Sequence, residues 1–144
     1  MTVQIKPAGR VLFLLFSSYF LFLLPGCSKK LSFATSPVIP AAHGSVRIDR
    51  DKNENYTIEV EVTNLAEPKN LQPPRETYVV WMETKKNGIK NIGQLNTSSG
   101  FFSSALKASL KTVTPNKPTR FFITAEDKGD VQYPGSQVVL RTGD

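Results

Sequence analysis

From Tyr56 to Thr63 apolar and polar residues alternate without a break: Tyr56, Ile58, Val60 and Val62 interleave with Thr57, Glu59, Glu61 and Thr63. Side chains on a strand change face at every step, so this segment has one apolar face and one wet face. A helix would scatter its β-branched residues around the axis. The pattern predicts a half-buried strand, and the rest of the chain repeats it in short pieces. Ser45–Asp49 alternates and is followed by the polar turn 51–55. Thr77–Glu83 is apolar on both faces, the mark of a central strand covered on two sides, with Trp81 the largest side chain it brings to the core. Asn87–Gly88 is a hairpin signal of the type I′ kind. It should return Ile89–Leu95 against the Trp81 strand, with Gly93 marking a bulge.

The segment 96–104 is small and polar and is expected to be a loop holding Phe101 and Phe102. Residues 104–111 alternate as a strand, with a short helix as the alternative. Phe121–Thr124 and Gln137–Arg141 complete the set, separated by the charged turn 126–130 and by Tyr133-Pro134-Gly135. Prolines 68, 73 and 74 make 66–76 a loop that crosses between sheets. About seven short strands without a long helix predict an all-β antiparallel sandwich of one domain over residues 43–144. With one cysteine in 144 residues, no intramolecular disulfide can staple it.

The N-terminus is built differently. Lys6 and Arg10 precede a 14-residue apolar run, Val11–Leu24, which is shorter than the roughly 20 residues a spanning helix needs. Pro25-Gly26 breaks it just before Cys27. Leu24-Pro25-Gly26-Cys27 resembles the lipobox of bacterial lipoproteins, with Leu24 three positions before the cysteine and Gly26 directly before it. That resemblance implies a signal peptide over 1–26, cleavage, and a diacylglycerol (with palmitate-type acyl chains) on Cys27. It also implies location in the bacterial cell envelope, with an outer membrane favoured because Ser28 follows the cysteine. Two or more acyl chains anchor a protein stably.

Loss of 1–26 would remove two of the 18 basic residues and none of the 12 acidic ones, leaving +4. Basic and acidic residues alternate along the chain, so no nucleic-acid partner is expected. Ser28–Ala42, with Pro37 and Pro40, is expected to run extended as a tether able to hold the domain up to ~50 Å from the bilayer. Phe33, Val38 and Ile39 leave an edge strand as the alternative.

Tyr78-Val79-Val80-Trp81-Met82, a hairpin, then Phe122-Ile123-Thr124-Ala125-Glu126 and Tyr133-Pro134-Gly135 leading to Leu140 occur in that order. This order resembles the extracytoplasmic domain of anti-sigma-K-type factors, an immunoglobulin-like β-sandwich. The matching positions are Tyr78 and Trp81, Thr124 and Glu126, and Pro134, Gly135 and Leu140. The resemblance implies a sensing or protein-contact role. Cleavage before Cys27 would leave nothing in the cytoplasm, so direct sigma-factor contact is not expected.

Chemistry-bearing residues are sparse. His43 is the one histidine, and no His/Cys cluster or glycine elbow around a serine accompanies it. Neither a metal, a cofactor nor an enzymatic activity is expected. Glu59 and Glu61 have the separation of a glycosidase pair but the pattern of a solvated strand face. The cluster 126–130 lacks the alternating ligands of a calcium loop. Asn55-Tyr56-Thr57 and Asn96-Thr97-Ser98 match the glycosylation pattern by coincidence. The candidate binding residues are Phe101, Phe102 and Tyr133, on a non-enzymatic module that contacts an envelope protein; a glycan or matrix ligand is the alternative.

Overall fold

A computed structural model describes residues 28–99 and 106–143. It is all-β, with nine strands among the described residues and no α-helix. β1 (Lys29–Ser32), β2 (His43–Arg50), β3 (Tyr56–Leu65), β6 (Asn96–Ser99) and β7 (Leu106–Thr114) form a five-stranded sheet in the order β1-β2-β3-β7-β6. β4 (Thr77–Thr84), β5 (Gly88–Gln94), β8 (Pro118–Glu126) and β9 (Val138–Arg141) form a four-stranded sheet in the order β5-β4-β8-β9. Every pairing is antiparallel.

The alternation read from Tyr56–Thr63 has its expected consequence. Ile58, Val60 and Val62 of β3 face Tyr78, Val80 and Met82 of β4 and Phe121, Ile123 and Ala125 of β8 in one shared core. β3 runs two residues further than the alternation extends, because a bulge after Val62 puts Asn64 at φ 56° and returns Leu65 to the core. Asn is among the few residues that adopt this conformation readily. At the same end of the β2–β3 pair, Gly44 lies opposite Val62, where a Cβ would fall inside contact distance of the Glu61 carbonyl. Strand β7 follows the strand reading over the described part of 104–111, from Leu106, and continues to Thr114.

Two of the nine strands were not among the seven expected. β6 carries a polar sequence without alternation, and its strand character comes from pairing with β7. β1 lies in the segment expected as a tether. An edge strand does form in 28–42, but from Lys29–Ser32, which pairs with β2, and not from Phe33, Val38 and Ile39; the chain then crosses to the second sheet. Phe33 bridges Thr142, the Ala34 N–H donates to the Arg141 carbonyl at 2.9 Å, and the buried Ser36 hydroxyl donates to the Val139 carbonyl at 2.6 Å. Phe33, Ile39 and Ala42 join the core. Apolar side chains over 33–42 gain more by burial against both sheets than an extended linker would keep. The strap also covers the free edges of β2 and β9, edges that would otherwise invite pairing with another chain.

The β4–β5 hairpin also differs from expectation. Thr84 pairs with Gly88, so Lys85–Asn87 form a three-residue connection, and only Gly88 takes a positive φ, of 67°. The Thr84 hydroxyl donates to the Gly88 carbonyl and accepts the Asn87 N–H, which closes this wider turn. Gly93, at φ 131°, sits at a register shift of β5, as its position predicts, and lies against Leu110 of the opposite sheet.

Candidate interaction surface

β4 and β8 are buried on both faces. The second face belongs to Trp81, which is buried yet points away from the core between the sheets. It packs with Val79 and Phe122, while Val131 and Val138 close over them. Trp81 and Phe122 stack with centroids 6.1 Å apart, and the Arg141 guanidinium lies 5.1 Å from the Phe122 ring centre. Residues 127–137, between β8 and β9, fold back over this apolar patch.

A run of hydrogen bonds fixes that connection. The Trp81 indole N–H donates to Thr124 Oγ1 at 2.8 Å, and the Thr124 hydroxyl donates to the buried Glu126 carboxylate. Glu126 Oε1 also accepts the Gly135 N–H at 2.7 Å. A Cβ at Gly135 would come within 2.8 Å of Oε2, so any larger residue would displace this carboxylate from its hydrogen bonds. Asn91 of β5 holds the outgoing leg through the carbonyls of Gly129 and Val131. Arg75 ties the 66–76 connection to it, donating to Asp127 at 2.8 Å and to Gln137 at 3.1 Å.

On this support Tyr133 stands 82% exposed. Strand directions put the connections 66–76 and 127–137 at one end of the molecule. Ser99 and Leu106, which flank 100–105, pair with each other at that same end, next to Leu65. Phe101 and Phe102 lie outside the described residues, as do Cys27 and the segment before it. The surface that is described offers a phenol ring and backbone groups on a fixed loop, an arrangement suited to recognition.

The remaining candidates have ordinary partners. His43 Nδ1 lies 3.1 Å from the Ala41 carbonyl, to which it donates, leaving Nε2 to accept the Thr63 hydroxyl at 2.8 Å. Glu59 is on the outer face of the five-stranded sheet, 2.6 Å from Lys111 and 3.6 Å from Arg47. The hydrogen bond and charge of Lys111 hold its carboxyl below the usual carboxylate range, with a smaller contribution from Arg47. Any stabilisation from Glu59 is therefore present at neutral pH and fades as pH falls through its lowered folded-state value. Lys111→Met should move the Glu59 titration upward toward the ordinary value of about 4.3, read by carboxyl-carbon NMR; an unmoved midpoint would remove Lys111 as the cause. Burial pushes the Tyr78 phenol up, and its hydroxyl donates to the Ala66 carbonyl at 2.8 Å. Among the described residues no three His, Cys, Asp or Glu side chains gather as a metal site.

No known protein family, curated protein or solved structure matches this chain. Its own geometry therefore carries the functional argument. Sequence reasoning missed the Trp81–Thr124–Glu126 run and the Arg75 link. The spacing of Thr124 and Glu126 places them on one strand face, but only the returning loop shows what they hold.

Proposed function

We propose that the chain is a non-enzymatic, lipid-anchored protein of the bacterial cell envelope, in which an immunoglobulin-like module contacts another protein. The strand order supports the immunoglobulin-like assignment. β2-β3-β7-β6 follows the A-B-E-D order of such domains, and β5-β4-β8-β9 follows C′-C-F-G. One difference is informative. In antibody domains the tryptophan of strand C packs inward on a disulfide, whereas Trp81 of the equivalent β4 packs outward beneath the β8–β9 connection.

The observation that carries the reading is the opposition of the two ends. Lys29, two residues after Cys27, begins β1 at one end. Tyr133 and the strand ends flanking Phe101 and Phe102 belong to the other. A lipid on Cys27 would hold the first end near a membrane and present the second to a partner, in keeping with the sensing or contact role implied by the resemblance to anti-sigma-K-type extracytoplasmic domains.

Cys27→Ser tests it. The variant should leave the membrane fraction or accumulate as an uncleaved precursor, and its mass should lack acyl chains. A variant that fractionates and migrates like wild type defeats the proposal. For the contact role, Tyr133→Ala should weaken cross-linking to an envelope protein in intact cells without shifting the melting temperature.

A further inference from the structure

The end of the sandwich at which β1 begins gathers positive charge from four separate parts of the chain. It comprises the start of β1, the turn 51–55, the hairpin connection Lys85–Asn87 and the turn 115–117. These parts and the strand ends beside them carry Lys29, Arg50, Lys52, Lys85, Lys86 and Lys117 against two acids, Asp51 and Glu54. Both acids are occupied. The Asp51 carboxylate accepts the backbone N–H groups of Asn53 and Asn55 at 2.8 and 2.9 Å, and Glu54 pairs with Arg50 at 3.0 Å. Lys29, Lys52, Lys85, Lys86 and Lys117 are exposed and have no ion-pair partner among the described residues.

Several of these cations surround an open groove of about 740 Å³ that Tyr56 also lines. The platform is fixed: the Asn87 side chain donates to Asn116 at 2.6 Å, joining the hairpin to the 115–117 turn. The opposite end has no such excess. In the connections 66–76 and 127–137, Glu67, Glu76, Asp127 and Asp130 outnumber Lys69, Arg75 and Lys128, and 100–105 carries no charged residue.

We propose that this basic end docks on an anionic phospholipid surface, so that the domain stands on the bilayer with Tyr133 directed away from it. The inference rests on Cys27 as the lipid attachment. Two residues of backbone span at most about 7 Å, and Lys29 is already paired in the sheet. An acylated Cys27 therefore leaves no slack for a distant stand-off and keeps the groove within a Debye length of the headgroups. Dispersed lysines, each a compact hydrated charge on a flexible stem, fit a surface of many headgroups better than a single bound ion.

The test uses the full-length protein purified from membranes and reconstituted into phosphatidylcholine vesicles with or without phosphatidylglycerol. A fluorophore is placed on Asn53→Cys at the basic end or on Gln132→Cys at the other, and a lipid-borne quencher reports proximity. The label at 53 should be quenched several-fold more than that at 132 when phosphatidylglycerol is present, and high salt or omission of the anionic lipid should narrow the difference to the smaller one that the Cys27 anchor alone gives. Basic residues near such a surface each contribute about fivefold to binding, so the Lys85→Glu, Lys86→Glu, Lys117→Glu variant should lower docking at least ~100-fold.

Equal quenching with both lipid compositions, or quenching that survives charge reversal in a variant with wild-type melting, overturns the proposal. So does displacement by inorganic phosphate at constant ionic strength, which would mark a discrete anion pocket. Intact mass reports acylation of Cys27 separately, and the ratio between the two labels is read on acylated protein, whose Cys27 sulfur is blocked from the fluorophore. Failure of the anchor and failure of docking are thereby told apart.

Discussion

Trp81→Ala should lower stability by about 3–5 kcal/mol, the range for removing a fully buried aromatic side chain. In a small domain that is much of the total, and unfolding followed by calorimetry or circular dichroism should shift by more than ten degrees, at roughly 4–8 °C per kcal/mol. The position of Trp81 gives the variant a second signature. Its ring supports residues 127–137 and lies apart from the core between the sheets. Limited proteolysis should therefore cut near Lys128 under conditions where Phe121→Ala, which empties the inter-sheet core instead, leaves that site protected. A Trp81→Ala protein that melts normally would contradict the burial described above, and one that loses both sheets before the loop is cut would contradict the assignment of the ring to the outer face.

Thr124→Val keeps the shape of the side chain and removes its hydroxyl. The Trp81 indole N–H then faces a methyl group, and Glu126 loses a donor while remaining buried. A buried donor left without an acceptor costs about 1–3 kcal/mol, and a carboxylate short of a hydrogen bond adds to this. Thr124→Ser should recover most of the loss, since it restores both bonds. Trp81 is the only tryptophan of the chain, so its emission reads the outcome directly: a red shift at low denaturant in Thr124→Val, ahead of global unfolding, is expected as water enters beneath the loop. Coincident transitions would mean that the loop and the sheets unfold as one.

How much of this was legible in the sequence follows from what periodicity can and cannot carry. Alternation identifies which residues share a face, so it places Ile58, Val60 and Val62 together on the buried side. It cannot say what covers the second face of a strand that is apolar on both. Trp81 was therefore expected in the core, while Tyr78, Val80 and Met82 fill it. β6 has no pattern of its own because its strand character comes from a neighbour. Asn87-Gly88 carries a two-residue turn signal, but the Thr84 hydroxyl closes a three-residue one. Of the candidate contact residues, the exposure of Tyr133 agrees with its setting before Pro134-Gly135. The basic end was illegible for another reason: its lysines are dispersed between positions 29 and 117, and only the sheet order brings them together.

The strap from Phe33 to Ile39 has a consequence for the order in which the chain can mature. Ser36 and its acceptor Val139 are separated by 103 residues, and β9 is the last strand of the described chain. β1 can pair with β2 early, but the strap that follows it can lock only after β9 has been delivered and paired, and closing so long a loop carries an entropic cost. A chain stalled or clipped before Val138 would keep Cys27 but leave Phe33 without its bridge to Thr142 and the Ser36 hydroxyl without its acceptor. Pairing of β9 would then be reported at the strap, where a protease would distinguish copies that have it from those that lack it.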